Sequence, residues 1–359
     1  MIDSRLWRGC PVLVTGHTGF KGSWLVHWLH GLGARVHGVA LDPVAGPSMY
    51  SITSVAKALD GDWRADVTDI SALAPVLQRA APRVVFHLAA QPLVRESYAD
   101  PLRTFATNAM GTANLLEAVR SVPSVRAVVV VTTDKVYANR EWHYPYRETD
   151  PLGGHDPYSA SKAAAEIVAE SFRLSFFTSP AGDLARIATA RAGNVIGGGD
   201  WSRDRLLPDC LAAFAAGQPV TLRRPDSVRP WQHVLEPLAG YIALAEQLLG
   251  EDGAAFARAW NFAPGPEDNA TVEEVARMAA DVFDPEARVE AVPDHSGGHE
   301  AGLLRLDATL ARTLLGWRPR WDLRTAIERT VAWDAAWRQG ADMARVTREQ
   351  ILAFGASTS

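Results

Sequence analysis

The chain has 359 residues, more than is usual for one compact domain, which predicts a large core with a smaller lobe. Its formal net charge is -5 with no basic cluster, which argues against nucleic acids and membrane surfaces as main partners. No apolar run is long enough to span a bilayer, and the first five residues lead into a strand rather than a secretory signal. Cys10 and Cys210 are interpreted as reduced thiols, so a cytoplasmic protein is expected.

The first predicted elements are a strand, a glycine-rich turn, a helix and a second strand. Residues 11–15 are an apolar, β-branched run of the kind buried in parallel sheets. Residues 23–31 have helical spacing, and residues 33–41 form the second strand. A unit of this length is typical of a dinucleotide site.

Three glycines define the turn between the first strand and the helix. Gly16 permits a tight turn, Gly19 lets backbone N–H groups approach a pyrophosphate, and Gly22 lets the helix pack closely on the strand. The N-terminus of the helix favours an anion at the same place. The turn therefore predicts cofactor binding rather than a purely structural role. Thr18 and Phe20 are assigned to the same site.

Asp42, at the end of the second predicted strand, allows two interpretations. Its carboxylate can accept hydrogen bonds from the ribose hydroxyls of adenosine and repel a 2′-phosphate, which favours NAD over NADP. Alternatively, Asp42 only opens a loop, and Arg35 or Lys21 serves a phosphate. The sequence gives the two interpretations equal support.

Two later strand ends extend the predicted cofactor site. One lies at residues 66–67, and the other is the end of a strand at residues 84–88 that runs into small residues. Small residues let the backbone lie against a dinucleotide. The cofactor residues assigned here are Asp66, Val67, Leu88, Ala89 and Ala90, and Gln91 is assigned to the substrate.

Helices and strands alternate through the first half of the chain. Helices are predicted at residues 73–79, 104–120 and 158–177, and strands at residues 84–88, 127–132 and 184–192. This regularity predicts an α/β fold with a Rossmann-type doubly wound parallel sheet.

The pattern changes after residue 192. Residues 193–201 are predicted to form a loop, and the remainder mixes short helices, proline-rich turns and single strands. We therefore expect an NAD-binding Rossmann domain at residues 1–192. A smaller C-terminal α/β substrate lobe is expected mainly at residues 193–359, with residues 230–260 packing back on the first domain.

Candidate catalytic residues lie in two neighbouring segments. A strand end delivers Thr133, Asp134 and Lys135, and the start of a helix carries Tyr158 and Lys162. Tyr158 and Lys162 are four residues apart and lie on the same helix face. That spacing also occurs in ordinary exposed helix contacts, so its meaning depends on the surrounding motifs.

Several motifs together resemble a known family. The glycine turn, the strand end at residues 88–90 and the Tyr158/Lys162 pair look like an extended short-chain dehydrogenase/reductase, and residues 133–137 resemble the nucleotide-sugar 4,6-dehydratases. Residues 191–201 and 229–234 are most similar to the CDP-glucose members. Many dTDP-glucose and GDP-mannose members have Glu after the Asp, whereas this chain has Lys135, as the CDP-glucose members do.

The resemblance implies a set of catalytic roles. Tyr158 would be the base for oxidation of the sugar C4 hydroxyl, with Lys162 and the nicotinamide ring lowering its pKa. Thr133 would hold the C4 oxygen. For loss of water across C5 and C6, Asp134 would be the acid and Lys135 the base. Alternatively, Lys135 stays charged and stabilises the enolate while Asp134 shuttles the proton.

The resemblance also implies the partners. NAD is the expected cofactor and a nucleotide sugar, with CDP-glucose favoured, the expected substrate. Its diphosphate would be held by Arg229, Arg205 and Asn194.

The two long predicted helices, at residues 104–120 and 159–177, would pair with a second copy, giving a homodimer or a dimer of dimers. No metal site is expected, because His295 and His299 have two glycines between them and no other ligand at metal spacing.

Other functions are possible on the same fold. A nucleotide-sugar 4-epimerase or reductase, or a dehydratase acting on another nucleotide sugar, is the main alternative, and a binding protein without turnover is the next. Epimerisation at C4 needs no elimination catalysts, so Asp134 and Lys135 favour dehydration. The Tyr158/Lys162 pair argues against a binding protein, which has no need of a phenolate.

Overall fold

The computed structural model describes residues 2–178, 184–292 and 302–357. Its strands are β1 Pro11–Thr15, β2 Arg35–Ala40, β3 Gly61–Arg64, β4 Val84–His87, β5 Ala127–Val131, β6 Arg186–Ala192, β7 Asn194–Ile196, β8 Val220–Leu222, β9 Val228–His233, β10 Ala259–Phe262, β11 Asn269–Thr271 and β12 Val289–Ala291. Its α-helices are α1 Ser4–Trp7, α2 Phe20–Gly31, α3 Met49–Ile52, α4 Ile70–Ala80, α5 Val94–Ala99, α6 Pro101–Phe105, α7 Gly111–Arg120, α8 Pro157–Phe176, α9 Leu206–Ala215, α10 Leu235–Leu249, α11 Val272–Phe283, α12 Thr309–Leu314, α13 Leu323–Arg338 and α14 Met343–Ala356.

A seven-stranded parallel sheet forms the centre of the molecule. Its strand order is β10-β6-β5-β4-β1-β2-β3, and the register places Val12 between Val36 and Val84. β4 and β5 are buried along their whole length, because helices cover both faces of a parallel sheet. This arrangement confirms the predicted α/β fold with a doubly wound sheet.

Alternate side chains of the strands enter two separate cores. Val12 and Val14 of β1 lie in the core that α2 and α10 cover, whereas Leu13 lies in the core that α4 and α7 cover. This two-sided burial follows from the alternation of side chains along a strand. The chain order reverses between β1 and β4, so a crevice opens at the carboxyl ends of these strands.

The second half of the chain contributes to this sheet and also builds a smaller one. β10 pairs with β6 as the outermost strand of the central sheet, and α10 packs over β5 and β6. β11, β9 and β7 form the smaller sheet, which α11 and α13 cover. α14 returns to α2. No helix among the described residues is long and apolar enough to cross a membrane.

The expectation of a loop at residues 193–201 is wrong at its start. Asn194–Ile196 is strand β7, which runs parallel to β9 with Asn194 opposite Trp231. The partner strand lies more than thirty residues along the chain, so no local pattern indicates the pairing.

Two further predictions also need correction. The first residues do not lead directly into a strand, since α1 precedes β1 and the Asp3 side chain accepts a hydrogen bond from the Arg5 backbone at its start. The helix expected at residues 104–120 begins earlier, at Pro101, and contains a π-helical turn at Ala106–Met110. Such a turn inserts one residue into a helix and is frequent at functional sites.

Candidate active site

The glycine turn joins β1 to the N-terminus of α2. Gly16 has φ +73°, and a Cβ atom there would lie 2.7 Å from the Ala89 backbone nitrogen. A Cβ atom at Gly22 would lie 2.2 Å from the Gly16 carbonyl oxygen. Both positions therefore require glycine, and the first N–H groups of α2, which begins directly after the turn, have no acceptor within the helix. This cradle fits a pyrophosphate.

The end of β4 is fixed against the same turn. The Thr15 hydroxyl accepts hydrogen bonds from the Leu88 and Ala89 N–H groups, each at 3.1 Å. Thr18 donates to the Leu41 carbonyl at 3.0 Å, which ties the turn to the end of β2. The predicted residues Leu88 and Ala89 thus lie beside the glycine turn, and Ala90 follows them in the chain.

Asp42 lies beyond the carboxyl end of β2, and its side chain is 87% exposed. Arg64 Nε donates to Asp42 Oδ1 at 3.0 Å. Arg35 begins β2 at the opposite edge of the sheet, so it cannot serve a phosphate near Asp42. Arg64 is the cation that the sequence interpretation missed, because its place beside Asp42 depends on the pairing of β2 with β3.

Asp66 and Val67 follow β3 at the same edge of the sheet. Asp66 Oδ1 accepts a hydrogen bond from the Thr68 N–H at 2.9 Å, and the Val67 carbonyl accepts one from Asn114 at 3.0 Å. The Val67 side chain packs against Gly111 at the start of α7. Both residues are therefore held in the loop that borders the crevice.

Gln91 and Asn108 form a pair that braces the loop after β4. The Gln91 N–H donates to Asn108 Oδ1 at 2.8 Å, and Asn108 Nδ2 donates to the Ser161 hydroxyl at 2.8 Å. The Gln91 side chain binds Leu93 and Thr104, so the protein already occupies both ends of its amide. Asn108 lies in the π-helical turn. Nothing in the sequence singles out Asn108, because its position indicates only a buried amide in an apolar helix.

Thr133 and Asp134 follow β5 in a short turn. The Thr133 hydroxyl donates to Asp134 Oδ1 at 3.0 Å, and Asp134 is 2% exposed. Among the residues that the structure describes, none makes a hydrogen bond to Asp134 Oδ2. Burial raises the pKa of Asp134, against the opposing effects of Lys135, Thr133 and Arg229. A buried carboxyl group of this kind is suited to act as a proton donor.

Tyr158 and Lys162 lie on the buried face of α8. Asp156 caps this helix by accepting from the Ser159 N–H at 3.0 Å, and Pro157 occupies the first turn. Lys162 Nζ donates to the Val131 carbonyl at 2.9 Å, which places the amine at the end of β5. The helix and strand thus bring Tyr158, Lys162 and Thr133 to one end of the crevice.

Burial has the largest effect on the pKa of Tyr158 in the protein chain itself. Burial raises the pKa of Tyr158 to about 12, although the Thr133 hydroxyl and Arg205 favour the phenolate. Burial also lowers the pKa of Lys162 to about 8. The low dielectric around the pair disfavours both charged forms, and the sequence interpretation considered only their mutual attraction.

Lys21 lies on the first turn of α2 and interacts electrostatically with the ionisable residues around Tyr158 and Asp134. Its pKa falls to about 7 because of burial and because Arg205 and Lys162 are nearby cations, while Asp134 and Asp200 oppose the fall. The sequence interpretation offered Lys21 only as a phosphate ligand. Its neighbours show that Lys21 lies towards the catalytic residues instead.

The three predicted diphosphate ligands lie across the crevice in the second half of the chain. Asn194 begins β7, and Arg205 Nη1 donates to Asp200 Oδ2 at 3.0 Å. Arg229 is buried on β9, and its Nη1 donates to the Val228 carbonyl at 2.9 Å. Arg205 affects the pKa of Tyr158, and Arg229 affects that of Asp134, so both lie near the catalytic residues.

No cluster of three or more potential metal ligands occurs within residues 2–178, 184–292 and 302–357. His295 and His299 lie outside the described residues.

Comparison with known proteins identifies the family. The family model described as GDP-mannose 4,6 dehydratase matches residues 13–330. The chain belongs to this family. CDP-glucose 4,6-dehydratase of Salmonella typhimurium is 47% identical over 362 residues, with 100% of each chain covered. UDP-glucose 4-epimerase of Mycolicibacterium smegmatis is 30% identical, covering 89% of this chain and 96% of the epimerase.

Solved structures of this dehydratase family and related epimerases have the same fold. dTDP-glucose 4,6-dehydratase from Streptomyces venezuelae, solved with NAD and TYD bound, has a TM-score of 0.77 at 24% identity, covering 93% of this chain and 99% of its own. UDP-glucose 4-epimerase of Thermus thermophilus, solved with NAD, has a TM-score of 0.74 at 26% identity, covering 89% of this chain and 97% of its own.

Proposed function

We propose that this protein is an NAD-dependent CDP-glucose 4,6-dehydratase that makes CDP-4-keto-6-deoxy-D-glucose. The buried Asp134, adjacent to Lys135 and Thr133 and at the same end of the crevice as Tyr158, supports this proposal most directly. A 4-epimerase needs only the Tyr158 site. Full-length similarity to the Salmonella enzyme favours CDP-glucose over other nucleotide sugars.

The cofactor site is proposed at the glycine turn and the adjoining strand ends. When bound there, NAD supplies the hydride acceptor for C4 and the hydride donor for C6. The close backbone approach at Gly16 and Gly22 and the N–H groups of α2 fit a pyrophosphate. Asp42 favours NAD because its carboxylate repels a 2′-phosphate, an effect that the paired Arg64 opposes. The remaining cofactor residues are Thr18, Gly19, Phe20, Asp66, Val67, Leu88, Ala89 and Ala90.

Oxidation at C4 requires a base at the sugar hydroxyl. Tyr158 takes this proton, and the Thr133 hydroxyl holds the C4 oxygen. Lys162 would stabilise the phenolate when its amine is charged, which opposes the effect of burial on Tyr158. An oxidised nicotinamide, when bound, would add a positive charge that favours the phenolate in the same way.

Elimination requires a base at C5 and an acid at C6. Once C4 is a ketone, the C5 proton is acidic, and Lys135 takes it when its amine is neutral, whereas a charged Lys135 would instead stabilise the enolate while Asp134 shuttles the proton. Asp134 gives its proton to the C6 hydroxyl, which leaves as water. Lys135 then returns a proton to C5 as C6 receives the hydride, and the proton held by Tyr158 replaces the one that Asp134 lost. The raised pKa of Asp134 supports its role as the acid.

Substrate binding is proposed on the opposite wall of the crevice. Arg229, Arg205 and Asn194 would hold the diphosphate, and Arg suits this task because its planar guanidinium group makes paired hydrogen bonds. Gln91, whose amide is bonded to Leu93 and Thr104, would contribute by holding the loop after β4 beside the substrate. Residues 1–192 would form the NAD domain, joined by β10 and α10, and residues 193–359 would form most of the substrate lobe.

The substrate assignment is tested with a panel of nucleotide glucoses. We expect CDP-glucose to have the highest kcat/KM, by on the order of tenfold or more over dTDP-, UDP- and GDP-glucose. The 4-keto-6-deoxy product is measured by its absorbance in alkali. Higher kcat/KM for another base would reassign the substrate, and absence of a 4-keto product with every sugar would contradict the dehydratase assignment.

A homodimer is proposed through the outer faces of α6 to α8. Leu102 is 82% exposed, and Met110, Ile167 and Leu174 are each more than half exposed. Ile167 and Leu174 are seven residues apart on α8, so they lie on one face. Two copies of this surface would form a four-helix interface.

The buried thiols Cys10 and Cys210, which form no disulfide, support the expectation of a cytoplasmic enzyme.

Ile167→Glu is expected to shift the purified protein from dimer to monomer, because it places a charge in the apolar interface. Sedimentation velocity measures the shift. Leu352→Glu is the matched control, since Leu352 is a similarly exposed aliphatic residue on α14, and it should leave the dimer intact. A wild-type monomer, or dissociation by both variants alike, would refute this interface.

A further inference from the structure

A buried polar network lies beside the catalytic residues. Glu166 of α8 is 4% exposed and accepts three hydrogen bonds. Thr132 donates to its Oε1 at 2.5 Å, and Thr189 and Arg191 donate to its Oε2 at 2.6 and 2.9 Å. The network joins the end of β5, the strand β6 and the helix α8. The Glu166 carboxylate has no role in the proposed cofactor site at the glycine turn or in the proposed elimination step.

Glu166 follows Lys162 by one helical turn, and both side chains are buried. Lys162 donates to the carbonyl of Val131, and Thr132, the next residue, donates to Glu166. The amine and the carboxylate are therefore bonded to successive residues at the end of β5, and among the described residues no hydrogen bond joins them directly. Burial lowers the pKa of Lys162, and Glu166 is the neighbouring charge that raises it.

The other groups around Lys162 cannot replace Glu166. Lys21 of α2 is a cation and repels an ammonium group. His87 of β4 is neutral at physiological pH, since burial and Lys162 hold its pKa at about 3. Burial favours the protonated form of Asp134 after β5, and Tyr158 on α8 is the proton acceptor itself. Arg191 of β6 donates to Glu166 Oε2 and is a cation, so it cannot supply the negative charge.

We propose that Glu166 is a positioning residue that keeps Lys162 charged beside Tyr158 and so sustains the phenolate that oxidises C4. This inference rests on the proposed function, because it assigns Tyr158 as the base. It differs from a bracing role for the network. Bracing depends on the hydrogen bonds of Glu166, whereas the proposed role depends on its negative charge.

The test compares Glu166→Gln with the wild-type protein across a range of pH, reading the single-turnover rate of cofactor reduction after CDP-glucose is added. Without the carboxylate, Lys162 loses its proton at lower pH, and the pair then holds a neutral amine and a neutral phenol. We expect rates within about twofold of wild type at the acid end, and a deficit of on the order of tenfold as the pH approaches 8. A deficit that is equal at every pH, or no deficit, would overturn the proposal.

Two further variants separate charge from bracing. Thr189→Val removes one hydrogen bond to Glu166 but keeps its charge, so its pH profile should match wild type. Glu166→Gln leaves Arg191 buried without its ion-pair partner, which destabilises the fold. The double variant Glu166→Gln/Arg191→Met removes both charges, and it should fold and still show the pH-dependent deficit. A normal profile in the double variant would also overturn the proposal.

The Glu166→Gln experiment measures only C4 oxidation, so a negative result for the role of Glu166 can be told apart from a failure of the proposed function. A wild-type protein that reduces its cofactor but releases no water contradicts the dehydratase assignment and leaves the role of Glu166 intact. A wild-type dehydratase whose Glu166→Gln variant has an unchanged pH profile contradicts only the role of Glu166.

Discussion

Tyr158→Phe is expected to lower kcat by on the order of a hundredfold or more and to leave the KM for the nucleotide sugar nearly unchanged. The substitution keeps the ring, which is buried at the start of α8, and removes the hydroxyl that takes the C4 proton. Steady-state kinetics with CDP-glucose measures the effect.

Tyr241→Phe is the matched control for this result. Tyr241 is a fully buried tyrosine on α10, and within the described residues its hydroxyl has no hydrogen-bond partner. Its loss should leave kcat within about twofold of wild type, since no hydrogen bond is broken. If Tyr158→Phe retains more than about a tenth of wild-type turnover, Tyr158 is not the base.

Asp134→Asn is expected to separate oxidation from elimination. Asparagine has the size of aspartic acid and can accept the Thr133 hydrogen bond, but it has no acidic proton to give to the C6 hydroxyl. C4 oxidation should continue while loss of water slows by on the order of a hundredfold. Reduced cofactor should therefore accumulate on the protein, and stopped-flow absorbance of the nicotinamide would record it.

A second acidic residue provides the control for this variant. Asp150 is mostly buried and pairs with Arg147 outside the catalytic cluster. Asp150→Asn should not accumulate reduced cofactor. If Asp134→Asn turns over normally, or never reduces its cofactor, Asp134 is not the elimination acid.

The parts of this structure that sequence patterns predicted depend on short stretches of chain. β1, the glycine turn and α2 are continuous, and the turn requires glycine because a Cβ atom at Gly16 or Gly22 would collide with backbone. The alternation of apolar strands with helices fixes the doubly wound sheet. Tyr158 and Lys162 are neighbours on one helix, so their shared face follows from spacing alone.

The missed features depend on contacts between distant segments. Arg64 reaches Asp42 because β2 pairs with β3, and β7 forms because β9 lies beside it. The network of Glu166 requires residues from α8, β5 and β6 to meet. The sequence also does not show the cost of burial, which exceeds the effect of nearby charges and raises the pKa of Tyr158.

The destination of the C4 hydride tests the proposed reaction most directly. CDP-glucose deuterated at C4 is incubated with the protein, and the product is examined by NMR and mass spectrometry. We predict a 4-keto-6-deoxy sugar with deuterium at C6 and no net consumption of added NAD, because the hydride taken from C4 returns to the carbon that lost water. Deuterium retained at C4 in a galactose-configured product would contradict this account and establish an epimerase, and stoichiometric release of NADH would instead establish a simple dehydrogenase.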